Sequence, residues 1–317
     1  MLMADFKYSD GTKRYHALDY YFKKKYGAKV FKVSLNAGFT CPNIDGSKGV
    51  GGCTYCSASG SGDFAGDPER SLDEQFEAIV AMMHKKWKNA SLYMPYFQAH
   101  TNTYAPVAVL KKCFEPFLEK QNVVGLDIAT RSDALNGEVL EYLEDLNKRC
   151  DLIVELGLQS VFDETGRRIN RCMSYAEFLE GYSELKSRGI KVCVHLINGL
   201  PGENKEMMLA SAAKTAQLKP DFVKLHLLHV LKNTHLAKEY ASGEFETLSL
   251  EEYIDIIIKQ LELFPPETVI ARLTGDGARA ELIAPLWSLK KFEVLNEIDR
   301  KMKELGTFQG RLYSNDR

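Results

Sequence analysis

The sequence predicts an α/β fold on a parallel sheet, and an open or partial barrel suits it at least as well as a flat doubly wound sheet. Short apolar runs alternate with amphipathic stretches along the chain, the pattern of strand–helix units whose strands run parallel. Inside the runs, polar residues recur between apolar ones and need an interior of their own. A length of 317 residues allows two domains of roughly 150 residues or a single α/β barrel.

In chain order the expected strands are Lys29–Leu35, Ser91–Gln98, Val123–Thr130, Asp151–Leu158, Ile190–Ile197, Asp221–Leu228 and Thr268–Leu273. Between them the expected helices are Leu72–Trp87, Val107–Leu118, Gly137–Lys148, Tyr175–Ser187, Lys205–Leu218 and Leu250–Leu263. In a barrel one strand face packs on helices and is apolar, so the alternate residues point inward. Phe31, Val33 and Leu35 face out and leave Lys32, Ser34 and Asn36 inside. Leu126 and Ile128 leave Asp127; Leu152, Val154, Leu156 and Leu158 leave Glu155 and Gln159. Val192, Val194 and Leu196 leave Cys193 and His195, while Val223, Leu225 and Leu227 leave Lys224 and His226. The Ser91–Gln98 strand does not sort by this test. A barrel filled for stability alone carries layers of branched apolar side chains. Buried charges are expensive unless paired or solvated. Such a lumen either closes on ion pairs or holds a polar ligand, and the ligand is the better account.

Composition narrows the class. Hydrophobic residues at 45% and aromatics at 10% suffice for a full core. A net charge of -2, from 41 basic and 43 acidic residues, carries no electrostatic signature for nucleic acid. Seven cysteines do not pair into a framework, and the N-terminus has no apolar signal-peptide core. No run reaches the ~18 apolar residues that span a bilayer. A cytoplasmic, reducing location with no membrane partner is expected, and it suits thiolate ligands.

Three cysteines, Cys41, Cys53 and Cys56, share one glycine-rich loop, Gly38 to Ser57, with no fourth nearby in the sequence. Eleven residues separate the first two and two separate the second pair. Gly46, Gly49, Gly51 and Gly52 let the backbone approach a site closely. The loop begins after the first strand, at the rim where barrel enzymes place their chemistry. A closed metal site wants four protein ligands; three thiolates leave one position open. Zinc would need a distant fourth ligand, and a thioredoxin-like dithiol in Cys53–Cys56 would not need Cys41. A 4Fe–4S cluster with one free iron is the remaining reading.

Gly38-Phe-Thr-Cys-Pro-Asn followed by Gly-Gly-Cys-Thr-Tyr-Cys56 resembles the cluster loop of radical S-adenosylmethionine (radical SAM) enzymes. More narrowly, the chain is similar to a little-characterised bacterial branch related to the elongator catalytic subunit. The likeness continues through Thr130-Arg-Ser-Asp133, Val154 to Ser160, Ile169-Asn-Arg171, Asn198-Gly-Leu-Pro-Gly-Glu203, His226 to Lys232 and Arg272-Leu-Thr-Gly-Asp-Gly277. The resemblance implies a partial (β/α)6 TIM-type barrel over residues 1–247, with a cluster loop at 36–66. A C-terminal extension, 248–317, would pack on the barrel at its mouth or open edge. Cys41, Cys53 and Cys56 would bind three irons of a 4Fe–4S cluster, and the fourth iron would chelate S-adenosylmethionine. An electron from the cluster then cleaves the sulfonium and yields a 5′-deoxyadenosyl radical.

By the same resemblance, Tyr55 lies next to the expected adenine. Gln98, with Thr101 and Asn102, stands where many relatives carry a Gly-Gly-Glu that binds the methionine amino group. Arg131, Glu155 and Gln159 suit the ribose and methionine portions, and Arg167 matches a cationic position for the methionine carboxylate. Ile197 and Gly199 match part of the adenine-facing strand. His195, where many relatives carry glycine, would line the substrate space with Lys224 and His226, and these three are the catalytic candidates. Plainer readings stand beside these: a local ion pair for Arg131 and Asp133, a solvated charge for Arg167, hydrogen-bonded lumen histidines, and packing for Trp287. Cys113, Cys150, Cys172 and Cys193 have no metal-like spacing. Cys172-Met173 replaces a common Gly-His, and Ile44 stands where relatives usually have arginine. The implied partners are an electron donor such as flavodoxin or ferredoxin and, through the elongator relation, tRNA. A radical enzyme acting on a small molecule or peptide is the alternative, and a non-catalytic iron–sulfur carrier ranks last.

Overall fold

The computed structural model describes residues 6–60, 62–87, 91–275 and 277–314. Strands form where the apolar runs lie: β1 (Val30–Leu35), β2 (Leu92–Phe97), β3 (Gly125–Thr130), β4 (Asp151–Gln159), β5 (Lys191–Asn198) and β6 (Phe222–Leu227). A short β7 (Val230–Leu231), β8 (Val269–Arg272) and β9 (Leu282–Ala284) follow. The sheet runs β1-β2-β3-β4-β5-β6-β8, while β7 and β9 form a separate antiparallel pair. The β1–β2, β2–β3, β3–β4, β5–β6 and β6–β8 pairs are all parallel. A doubly wound sheet reverses its strand order at a switch point, whereas a barrel keeps chain order. The fold is therefore α/β of the partial TIM-barrel type, and β8, from the C-terminal portion, is its seventh strand.

The helices are α1 (Leu18–Tyr26), α2 (Leu72–Lys86), α3 (Val107–Phe114), α4 (Gly137–Arg149), α5 (Asp163–Arg168), α6 (Tyr175–Ser187), α7 (Lys205–Gln217), α8 (His235–Ala241), α9 (Leu250–Leu263) and α10 (Lys291–Glu304). Their starts follow from local chemistry. Ser71 with Glu74, Ser174 with Glu177 and Ser249 with Glu252 form capping boxes, which satisfy backbone N–H groups that the first turn leaves free. Asn136, Asn204 and Thr234 cap α4, α7 and α8 through their side chains.

The chain forms two compact groups. Phe22–Gly157 with Cys172–Val192 holds β1 to β3 and most of β4. Its core is the apolar strand face that the sequence assigned to the outside: Val33, Leu35, Leu126, Ile128, Leu152 and Val154 are all buried. Phe97 of β2 packs on Phe114 of α3 at 4.6 Å between ring centroids. The polar residues between them alternate as expected, with Lys32 and Ser34 only half-buried. At the start of β4, Asp151 accepts from Tyr26 and Lys25 and, at 2.5 Å, from Lys191.

The second group comprises the segment up to Tyr21, Leu158–Arg171 and the chain from Cys193 onward. Helix α9 is tied here by a reciprocal amide pair. Asn198 Nδ2 donates to Gln260 Oε1 at 2.9 Å, and Gln260 Nε2 donates back to Asn198 Oδ1 at 2.7 Å and to the Met208 carbonyl at 3.0 Å. Both residues are buried. Gln260→Leu strips Asn198 of its partner and is expected to lower stability by about 2 kcal/mol. Urea unfolding checks this; an unchanged midpoint would contradict the role given to the pair.

Candidate metal centre and polar strand faces

The segment between Cys41 and Cys53 doubles back as a small hairpin. Ile44 N donates to the Cys41 carbonyl at 2.8 Å, and Lys48 N donates to that of Pro42 at 2.8 Å. Asp45 and Val50 form an antiparallel bridge, closed at the tip by Gly46 N to Gly49 O at 3.1 Å. Gly46 turns there with φ 92°, a left-handed conformation that suits glycine. Gly52 N then donates to the Asn43 carbonyl at 2.8 Å, so the arm ends where it began. Beside that base, Asn43 Nδ2 donates to Cys53 Sγ at 3.6 Å. A turn from Cys53 O to Cys56 N, 3.0 Å, carries Thr54 and Tyr55. Cys41, Cys53 and Cys56 form no disulfide; Cys53 is buried and the others half-buried. The long arm thus folds back so that Gly52, the residue before Cys53, meets Asn43, two residues after Cys41.

The arm is also fastened. Lys48 bonds Glu177 of α6 at 2.8 Å and lies 3.7 Å from Asp133 after β3. The Lys48 ammonium and the Ser174 amide hold the Glu177 carboxyl down at about 2. Gly49 faces Asn43 and Cys172 so closely that a Cβ there would strike Asn43 Oδ1 and lie 2.7 Å from Cys172 Sγ.

Behind the loop, in the same group, the expected inward residues meet. Lys32 pairs with Asp127 and, at 2.9 Å, with Glu155, and its ammonium sits 5.0 Å from the Tyr96 ring centroid. Both carboxylate side chains are 0% exposed. The strand that did not sort by pattern thus joins the polar face through Tyr96, which pairs in register with Ser34 and Asp127. Arg131 is buried, and its fork is occupied by its neighbour: Nε to Asp133 Oδ1 at 2.8 Å and Nη2 to Oδ2 at 2.7 Å. Gln98 follows β2 directly, its N–H bonded to the Leu35 carbonyl at 3.2 Å. Asn102 is fully buried and donates to the carbonyls of Phe97, Ala99 and Ala129 at 2.9 to 3.1 Å. Tyr55 is half-buried within the cysteine turn.

In the second group, register pairs His195 with Lys224 and Ile197 with His226. Laterally paired residues of parallel strands share a face. The two imidazole rings stand 5.2 Å apart between centroids. Lys224 is buried and both histidines are half-buried. Arg272 of β8 continues the row beside Lys224. Gln159 ends β4 in the left-handed region at φ 73°, and its Oε1 is buried without a hydrogen-bond partner among the described residues. The next residue, Ser160, donates to Glu203, as does Thr165 at 3.0 Å. Burial pushes the Glu203 carboxyl up despite these donors. Arg167 is exposed on α5. Trp287 packs on Tyr253 at 5.5 Å and donates to the Leu248 carbonyl at 3.0 Å. Asp276, in the segment singled out at 272–277, lies outside the described residues.

Three residues escaped the sequence reading as parts of the site. Lys48 and the Asn43 amide carry no pattern, because their roles depend on where the hairpin folds. Glu203 was visible only as the end of a turn motif. As a donor set the loop fits an iron–sulfur cluster. Its thiols are unpaired by disulfides, an amide N–H faces one sulfur, and the Thr54 hydroxyl is buried without a partner among the described residues.

Comparison with known proteins agrees with this geometry. The Radical SAM superfamily matches residues 47–214, and the Radical_SAM C-terminal domain matches 220–304. YtqA of Bacillus subtilis (strain 168) is 47% identical over 97% of this chain and 95% of its own length. The tRNA uridine(34) acetyltransferase of Methanocaldococcus infernus is 29% identical over 50% of this chain and 29% of its own. Among solved structures, archaeal Elp3 from Methanocaldococcus infernus superposes with a TM-score of 0.66 at 19% identity. That match covers 88% of this chain and 64% of the Elp3 chain, and it shows a shared fold. Cys53 and Cys56 fall inside the superfamily match and Cys41 just ahead of it, and the chain belongs to the radical SAM superfamily of enzymes.

Proposed function

We propose that Cys41, Cys53 and Cys56 hold a 4Fe–4S cluster whose remaining iron binds S-adenosylmethionine, and that the substrate is tRNA. The observation that supports the metal reading is the hairpin, which folds the chain before Cys53 back onto the segment that follows Cys41, with no disulfide at any of the three cysteines. Once bound, cluster and S-adenosylmethionine together supply a 5′-deoxyadenosyl radical. The protein's own residues bind, orient and exclude water. By the family resemblance, Tyr55 and Ile197 would each serve adenine binding. By the same resemblance, Gln98, Glu155 and Gln159 would each serve the amino-acid and ribose portions, and the Gln159 oxygen, without a hydrogen-bond partner among the described residues, is a ready acceptor for a hydroxyl or ammonium. Arg131 acts as a base plate with Asp133, since its fork is already filled, and Arg167 is left for the carboxylate. Lys224, His195 and His226 face the substrate.

The tRNA reading rests on the half-chain likeness to a tRNA uridine(34) acetyltransferase. Residues 1–247 would supply the first six strands of the catalytic barrel, and the extension at 248–317 would add the seventh, β8, to its sheet. An external low-potential donor of the flavodoxin or ferredoxin type would reduce the cluster in the cytoplasm. No helix among the described residues is long and apolar enough to cross a membrane.

Anaerobic reconstitution should load about four irons per chain. With reductant and S-adenosylmethionine the protein should then release 5′-deoxyadenosine, and Cys53→Ala should abolish it. Cleavage that survives the substitution would refute the ligand assignment. Mass spectrometry of nucleosides from bulk tRNA, with and without the gene, should show one modified nucleoside changed. An identical profile would reject tRNA in favour of a small-molecule or peptide substrate.

A further inference from the structure

We infer that Asn43 sets the reduction potential of the cluster by donating a hydrogen bond to the sulfur of Cys53, an inference that rests on Cys53 being a cluster ligand. The Asn43 side chain is 0% exposed, and its Nδ2 lies 3.6 Å from Cys53 Sγ. A metal-bound thiolate has no proton to give, so only the NH₂ end of the amide can face it. The other end of the amide is held by packing. Asn43 Oδ1 and Cys172 Sγ fill the space beside Gly49, and the Asn43 carbonyl accepts from Gly52 at 2.8 Å. The amide is wedged between the tip of the arm and the second cysteine. It cannot swing away without opening the hairpin.

One-electron reduction by an external donor adds a negative charge that the cluster shares with its cysteine sulfurs. An N–H dipole aimed at one of those sulfurs stabilises the more negative state more strongly, which raises the potential. Burial keeps water from replacing the donor, so the dipole acts at low effective dielectric. The long arm therefore has a second task besides returning Cys53 to the site. Its fold builds the donor. Lys48, bonded to Glu177, keeps the tip in place while the donor is held.

The test is a mediated redox titration of the anaerobically reconstituted full chain, followed by the electron paramagnetic resonance signal of the reduced cluster. Asn43→Leu keeps the branched outline of the amide with some added bulk and removes the donor. Its midpoint should fall by about tenfold in the reduction equilibrium, ~59 mV for one electron. Gly49→Ala keeps the amide group but displaces it, because the new Cβ would strike Asn43 Oδ1; φ at Gly49 is not left-handed, so the backbone conformation itself tolerates alanine. It should shift the midpoint the same way by a smaller amount. A midpoint does not depend on the fraction of chains loaded, so partial reconstitution does not blur the reading. Native midpoints in both variants would overturn the inference. So would two variants that take up no cluster while the native chain does, because Asn43 would then serve only loop folding. A native chain that binds no iron would overturn the cluster reading itself, and this inference with it.

Discussion

The ammonium of Lys32 is the contact on which the polar strand face depends. Parallel strands that pack one face on helices must turn every second residue the other way. Here those residues include Asp127 and Glu155, both wholly buried. Two carboxylates removed from water repel each other, and without a counter-charge at least one would take up a proton. Lys32 reaches both and rests on the Tyr96 ring. Removing one member of such a buried set typically costs about 3–5 kcal/mol, because the others are left uncompensated. The face is thus stable enough to exist and still polar enough to receive a ligand.

The cysteine loop solves a different problem. To share one metal site, as proposed, three thiols on one loop would have to converge although eleven residues part the first from the second. A free loop of that length would spend conformational entropy on every closure. The hairpin spends it once, on folding, and Lys48 anchors the tip to Glu177 beside Asp133. In the second group, the same economy appears at Glu203. Its carboxylate accepts from Ser160 and Thr165, fixing the residue that follows the left-handed Gln159.

Much of this was legible in the sequence, for physical reasons. Period-two alternation located β1 and β3 to β6 and named Lys32, Asp127 and Glu155 as a common face, because burial of one face leaves no other place for charge. At β2, expected as Ser91–Gln98, the strand was located but its faces did not sort, because Tyr96 is both aromatic and polar and so reads as either face. Pattern also passed over α1, α5, α8 and α10, which are short or strongly charged. The three cysteines raised the metal reading by number alone. The hairpin contacts were not legible, since Asn43, Lys48 and Glu177 meet only after the arm has folded. Arg131 shows the opposite case: the nearby Asp133 suggested an ion pair from the start, and the bidentate contact is there.

The central claim is a cluster with one iron left open by the protein. It is tested most directly by adding S-adenosylmethionine to the reduced, reconstituted protein and recording the electron paramagnetic resonance spectrum. If the amino and carboxylate groups bind that iron, the g-values shift on addition, and S-adenosylmethionine labelled with nitrogen-15 at its amino group shows coupling to the cluster. A spectrum unchanged at saturating S-adenosylmethionine would mean the iron is closed and would contradict the account.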